Sequence, residues 1–275
     1  MKIEQLFELV ARENASDLLI SAGAQPSLRV NGQLVRVKGD PLTIDTSREL
    51  VYGIMNPDQI QKFEQNLELD FSLAVNTGQR FRVNVYYQKH GVCAALRPIP
   101  EVIPEWEELG LPDYVNEIAA IRQGLVLVTG PTGHGKTTTQ AIIIDMINNT
   151  RACHVITVED PIEYVHKHKK SVVDQREVGE DTQSFTRALK YVLRQDPDVI
   201  LIGEMRDLET IQAALSAAET GHLVLATLHT NDSIQTVDRV VDVFPTGSQQ
   251  QIRFQLSMVL VAILSQRLLP HAEGE

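Results

Sequence analysis

The chain has 275 residues and 43% hydrophobic content, enough to bury a substantial core in one large domain or two smaller ones, and two are expected. A formal charge of −11 and a pI near 5.2 argue against a main role in coating nucleic acid or anionic lipid, which clustered Lys and Arg perform by neutralising phosphates. Two widely separated cysteines, Cys93 and Cys153, exclude a disulfide scaffold or a cysteine zinc site as the organising principle and suit a reducing cytoplasm.

The first segment, MKIEQLFELVAREN, places Ile3, Leu6, Phe7, Leu9 and Val10 at helical spacing and mixes in charges, unlike the apolar core of a signal peptide. PSLRVNGQLVRV alternates apolar residues around Asn31-Gly32, which predicts a β-hairpin. A single helix over about 45–66 follows, then strands at DFSLAV, RFRVNVYYQ and VCAALRPI. The first hundred residues therefore read as a small α/β domain with an antiparallel sheet. Pro98, Pro100 and Pro104 in RPIPEVIPEW predict a stiff linker over 98–106.

Beyond it the rhythm becomes apolar strand, turn, helix. GLVLVTG leads into a helix containing QAIIIDMI; HVITVED and SVVDQREV are the next strands. A helix over 182–195 with Asp181 as N-cap, the strand DVILIGE, a helix over 208–220 ending at Gly221 and the strand HLVLATLH complete the series. Near-continuous Val/Ile/Leu strands alternating with helices predict a mostly parallel sheet covered on both faces. IRFQLSMVLVAIL reads as helix core, because Ser265, Gln266 and Arg267 break the apolar run well short of the roughly 20 residues a bilayer requires. A soluble protein is expected.

GPTGHGKTTT matches the phosphate-binding pattern G-x-x-x-x-G-K-[ST] through Gly130, Gly135, Lys136 and Thr137. Glycines let backbone N–H groups converge on phosphate oxygens, Lys136 reaches the β- and γ-phosphates, and Thr137 can ligate Mg²⁺. Thr132, Gly133, His134 and Thr138 complete the loop as nucleotide contacts. A strand before the loop and a helix after it supply the context that separates this pattern from a chance glycine-rich turn.

Hydrolysis also needs an acid on the metal side and a group that orients water. Two strand ends offer them: Glu159, Asp160 and Glu163 in ITVEDPIEY, and Glu204 in DVILIGEMRD, where Gly203 is expected to let the backbone approach a ligand. Acids at strand-to-helix turns also serve as helix caps, a reading that carries equal weight for Asp160. The residues alone leave open whether Glu159 or Glu163 faces the water.

Four ordered segments, GPTGHGKTTT, ITVEDPIEYVH, DPDVILIGEMRDLETIQAALSAAETGH and LATLHTND, resemble the Walker A, Asp box, atypical Walker B and His box of the secretion and pilus motor ATPases. Within that superfamily the chain is most similar to the PilT-like pilus retraction group, through ASDLLISAG, RFRVNVYYQ, DQREVGEDTQSF and TVDRVVDVFP as well. The resemblance implies an α/β fold with a PAS-like N-terminal domain (1–97) and a RecA-like ATPase domain (107–275), assembled as a cytoplasmic homohexamer. It implies ATP and Mg²⁺ as ligands and peripheral association with the inner membrane through a pilus platform protein, without stable nucleic-acid binding. Carried over by motif, Glu163 is similar to the residue that polarises the attacking water and Glu204 to the Mg²⁺-associated acid. His222 and His229 resemble the His-box pair that relays the state of the γ-phosphate, and Arg80, Arg82 and Arg97 the N-terminal arginines that close on the phosphates.

Competing readings stand beside these. A strand-end His is commonly a packed or surface side chain, the arginines of RFRV are what a half-exposed strand carries anyway, and HKHKK at 166–170 reads as a solvated loop or subunit contact. His134 and Thr137 stand where relatives commonly show Ser, and Leu19 where a His is usual. The chain ends at LLPHAEGE without the family's helical region bearing an AIRNLI-like segment, so a truncated chain or shortened paralogue is expected, and motor function is less secure than nucleotide binding. The alternatives are an assembly or type II secretion ATPase, against which the absence of a four-cysteine insertion argues; a nucleotide-binding regulatory or scaffold subunit; and a DNA-translocating ring, which the acidic balance disfavours.

Overall fold

The computed structural model describes residues 2–76, 78–100 and 102–269; Glu101 of the expected linker and residues 270–275 of LLPHAEGE lie outside them. The chain divides into two compact units, Met1–Glu101 and Val102–Glu275.

The first unit begins with α1 (Ile3–Arg12), which buries Leu6 and Val10 one turn apart. Strands β1 (Asp17–Ile20), β2 (Ser27–Val30) and β3 (Gln33–Arg36) follow, the last two joined at Asn31 and Gly32, whose φ of 49° and 78° suit the expected tight turn. Instead of one helix over 45–66 there are two, α2 (Ile44–Tyr52) and α3 (Pro57–Asn66). The break has a local cause: Asn56 caps the Gln59 N–H at 2.8 Å, and Pro57 has no N–H with which to continue an earlier helix. Strands β4 (Glu68–Ala74), β5 (Arg80–Gln88) and β6 (Gly91–Ile99) complete an antiparallel sheet ordered β3-β2-β1-β6-β5-β4. β6 runs through Pro98, so the first linker proline belongs to a strand. The four residues of β1 are too short to give an alternation signal in the sequence, yet the strand lies between β2 and β6.

In the second unit α4 (Tyr114–Ala120) precedes β7 (Gly124–Thr129), α5 (Lys136–Thr150), β8 (His154–Glu159), β9 (Val172–Glu177) and α6 (Phe185–Val192). Then come β10 (Val199–Ile202), α7 (Leu208–Glu219), β11 (Leu223–Leu228), α8 (Ser233–Asp242), α9 (Gln249–Val259) and β12 (Leu260–Ser265). All described pairings in the sheet β12-β7-β11-β10-β8-β9 are parallel. Every residue of β7, β10 and β11 is buried, as helices on both faces require.

Two sequence expectations change here. The helix expected over 182–195 is shorter and is capped by Ser184, whose Oγ accepts from Arg187 N; Asp181 accepts the Glu177 N–H instead. Of IRFQLSMVLVAIL only the first part is helix, burying Ile252, Leu256 and Val259; after Val259 the chain leaves α9 and forms β12, an edge strand beside β7. Its β-branched residues satisfy a strand as well as a helix, and tertiary pairing decides. No helix among the described residues is long and apolar enough to cross a membrane.

Candidate nucleotide-binding site

Parallel register brings the chemistry to one edge of the second sheet. Leu228 of β11 lies opposite Thr129 of β7, and Ile202 of β10 lies between Ala226 and Val158. Gly130, Glu159, Glu204 and His229, each at the end of its strand or just past it, therefore emerge along the same carboxyl-terminal edge.

The loop between β7 and α5 is built for close approach. Gly133 and Gly135 have φ of 79° and 81°, which L side chains rarely adopt, and a Cβ at either would meet nothing within 4 Å, so open space faces the loop. Gly135 is the N-cap of α5 and supplies no side-chain cap, leaving the first helical N–H groups to serve an anion. Lys136 is buried, and its Nζ donates to the carbonyls of Gly130 and Pro131, both at 2.9 Å. Burial pushes its pKa down, opposed by the carboxylates of Glu163 and Glu204. Both acids therefore lie within the electrostatic reach of the lysine. Thr132 is exposed, and Thr137 and Thr138 are partly exposed.

Glu204 Oε2 accepts from Arg206 Nε at 2.8 Å and lies 3.5 Å from His229 Nε2, so the two residues drawn from different motifs meet. Gly203 does not give a ligand room: a Cβ there would lie 3.3 Å from Glu159 Cα and 3.4 Å from Val158 O, so the glycine serves the close approach of β10 to the end of β8. The hard oxygens of Thr137 and Glu204 are the donor types Mg²⁺ takes, and with the uncapped helix start they fit a magnesium nucleotide.

The two candidate glutamates differ sharply. Glu159 is buried and accepts from Thr157 Oγ1 at 2.6 Å and Gln175 Nε2 at 3.1 Å, and burial raises its pKa to about 7. Glu163, four residues on, is only half-buried. Asp160 between them is exposed.

Other expected site residues lie elsewhere. His222 is at the opposite edge from His229, separated by the six residues of β11, about 20 Å. Its Nδ1 hydrogen-bonds with Ala217 O at 2.9 Å and Thr220 Oγ1 at 3.1 Å, finishing α7. In the first unit Arg82 and Arg97 face each other across β5 and β6, with Arg80 two residues before Arg82. Arg97 donates through Nε and Nη2 to Asp17 Oδ1 at 2.9 and 2.8 Å. HKHKK is a loop with Lys167 to Lys170 exposed, as expected, but His166 is buried, its pKa lowered to about 4 by burial, and Lys169 Nζ pairs with Asp145 at 2.7 Å. Among the described residues no group of three His, Cys, Asp or Glu could hold a metal.

The strap after β12 was missed by sequence reasoning. Gln266 N donates to Thr129 O and Gln266 Nε2 to Thr139 Oγ1, both at 2.8 Å, and Leu268 N donates to His134 Nδ1 at 2.9 Å. A Cβ on Gly130 would collide with the Gln266 carbonyl. Three polar residues interrupting an apolar run, Ser265 to Arg267, are the available signal, and from the sequence they speak only against a membrane span.

A family model described as type II/IV secretion system protein matches residues 1–274. The chain is 49% identical over 274 residues to the type IV pilus retraction ATPase PilT of Pseudomonas aeruginosa, covering 100% of this chain and 80% of the relative. It is 48% identical over 249 residues to a twitching motility protein of Neisseria gonorrhoeae, covering 90% and 67% respectively. A crystal structure of the pilus retraction motor PilT with bound ADP superposes with a TM-score of 0.96 at 53% identity, over 100% of this chain and 80% of that one.

Proposed function

The chain belongs to the type II/IV secretion system protein family, and from that premise we propose that it is an ATP-hydrolysing motor subunit for type IV pilus retraction. The observation that carries the reading is the carboxyl edge of the parallel sheet, where an uncapped helix start and Lys136 stand within the electrostatic reach of Glu163 and Glu204.

In this reading the N–H groups of the loop from Gly133 to Thr138 cradle the phosphates of ATP, and Lys136 exchanges its two carbonyl partners for phosphate oxygens. Thr137 and Glu204 hold Mg²⁺, which when bound supplies neutralisation of phosphate charge. Glu163 orients the attacking water and takes its proton; the bond from the β–γ bridging oxygen to the γ-phosphorus breaks, giving ADP and phosphate. Glu159 is unsuited to that task, because its carboxyl is enclosed and already accepts two hydrogen bonds. His229, beside Glu204, senses the phosphate end, whereas His222 serves the end of α7. Arg80, Arg82 and Arg97 are assigned to phosphate charge, Arg97 after exchanging Asp17 for it.

The working form is a homohexamer in the cytoplasm, bound to a platform protein at the inner membrane. Steady-state ATPase of the wild type beside Glu204→Ala and Glu163→Ala, with native mass measured in parallel, tests this. Turnover by a hexamer that either substitution abolishes is expected. ATP binding without wild-type turnover sinks the motor in favour of a regulatory subunit, and stimulation by DNA favours a translocase.

A further inference from the structure

β8 and β9 run in parallel with Thr157 opposite Gln175 and Glu159 opposite Glu177, so these four side chains share one face at the end of the sheet. The segment joining the two strands, 160–171, contains no helix and carries Glu163. β9 grips it from both sides of that glutamate. Gln175 Nε2 donates to Glu159 Oε1 at 3.1 Å and to Tyr164 O at 2.8 Å, and Gln175 Oε1 accepts from His166 N at 2.7 Å. Glu177 Oε2 accepts from Ile162 N at 3.1 Å. The residue before Glu163 and the residue after it are thus both tied to β9. A fourth link reaches the phosphate loop: the Tyr164 and Thr138 hydroxyls hydrogen-bond at 3.2 Å.

A loop of this length bearing a water-orienting carboxylate has a specific difficulty. Its backbone has no ladder of its own, while misplacing a reacting group by about 1 Å can cost on the order of 100-fold in rate. One amide that makes three hydrogen bonds to positions 159, 164 and 166 resolves it, since a side chain with both a donor and an acceptor can hold a carbonyl and an N–H of the same loop.

We propose that Gln175 is the positioning residue for Glu163, fixing through Glu159, Tyr164 and His166 the loop from which Glu163 reaches the attacking water. It matters in this way only if Glu163 orients that water, the reading proposed above. Glu177 acts beside it on the Ile162 N–H.

Gln175→Met keeps the length and volume of the side chain and removes all three hydrogen bonds. The measurements are kcat, KM and ATP affinity in the wild type and in a Glu163→Gln background, with a thermal melt to confirm folding. Expected is a fall in kcat of about 10- to 100-fold with ATP affinity within threefold of wild type. In the Glu163→Gln background the same substitution is expected to change the residual rate by less than about twofold, because the group it positions is already disabled. A kcat within twofold of wild type, an equal loss in both backgrounds, or a loss of affinity that tracks the loss of rate overturns the proposal. If Gln175→Met fails to fold, Gln175→Glu, which keeps the acceptor for His166 N and loses both donors, is read by the same criteria. Normal turnover in Glu163→Gln alone removes the role of Glu163 and the clasp with it, a result distinct from an inert Gln175.

Discussion

The two six-stranded sheets carry their charged side chains in different places. In the antiparallel sheet β5 alternates, with Phe81, Val83 and Val85 buried and Arg80 and Arg82 on the other face. In the parallel sheet the central strands β7, β10 and β11 are buried throughout, so they have no face left for charge, while the edge strand β9 carries exposed Asp174 and half-buried Arg176 along its length. Chemistry is then confined to the strand ends, where Gly130, Glu204 and His229 follow the last paired residues. A strand covered on one side displays its charges along its length; central strands covered on both sides leave them to the strand ends, and that edge is where a ligand meets the backbone donors of a helix start.

Substitutions at matched positions test how far this contrast extends. The largest effect is expected from Leu225→Ala in the middle of β11, about 2–5 kcal/mol of unfolding free energy in urea titrations, against less than about 0.5 kcal/mol for Leu34→Ala on exposed β3. Similar losses at both positions would break the comparison. Next comes Lys136→Ala at the edge, which should lower turnover about 100- to 1,000-fold. Arg82→Ala, from the face of the other sheet, should cost about tenfold, and an equal loss would make face and edge equivalent.

A further effect depends on pH. Burial holds the Glu159 pKa near 7 against 4.5 for the free side chain, so between those values the folded chain keeps a proton that the unfolded chain releases, and stability falls as pH rises. His166 has the opposite sign: its pKa is lowered to about 4 from 6.5, so its contribution to stability rises with pH between those values. Glu159→Gln should gain on the wild type as pH rises from 4.5 to 7.5, by up to about 2–3 kcal/mol, and a gain independent of pH would show Glu159 to be ionised throughout. The smallest effect is expected from His222→Ala at the far edge, about 1 kcal/mol of stability with ATP affinity within twofold, because it finishes a helix.

Much of this was legible because each signal had a single physical cause. GPTGHGKTTT fixed the loop, Asn31-Gly32 fixed the hairpin, and the aliphatic runs fixed the buried strands. What was not legible depended on tertiary partners. Asn56-Pro57 is the exception, a local cap and proline that split a pattern periodicity reads as continuous, whereas LVAIL becomes a strand only because β7 has an edge to offer it. Gly203 serves a neighbouring strand, a contact that spacing along the chain cannot reveal. The bracing of Glu163 by Gln175 depends on the register of β8 and β9, and so does the enclosure of Glu159.

The bond from Leu268 N–H to His134 Nδ1 settles a choice of tautomer. An imidazole nitrogen that accepts a backbone hydrogen carries none of its own, so in the neutral ring the hydrogen resides on Nε2. The other end of the ring can then only donate. A residue that could have presented either sign of hydrogen-bonding character to an incoming polyphosphate is set to the sign a phosphate oxygen accepts, and the setting is made by main chain 134 residues away.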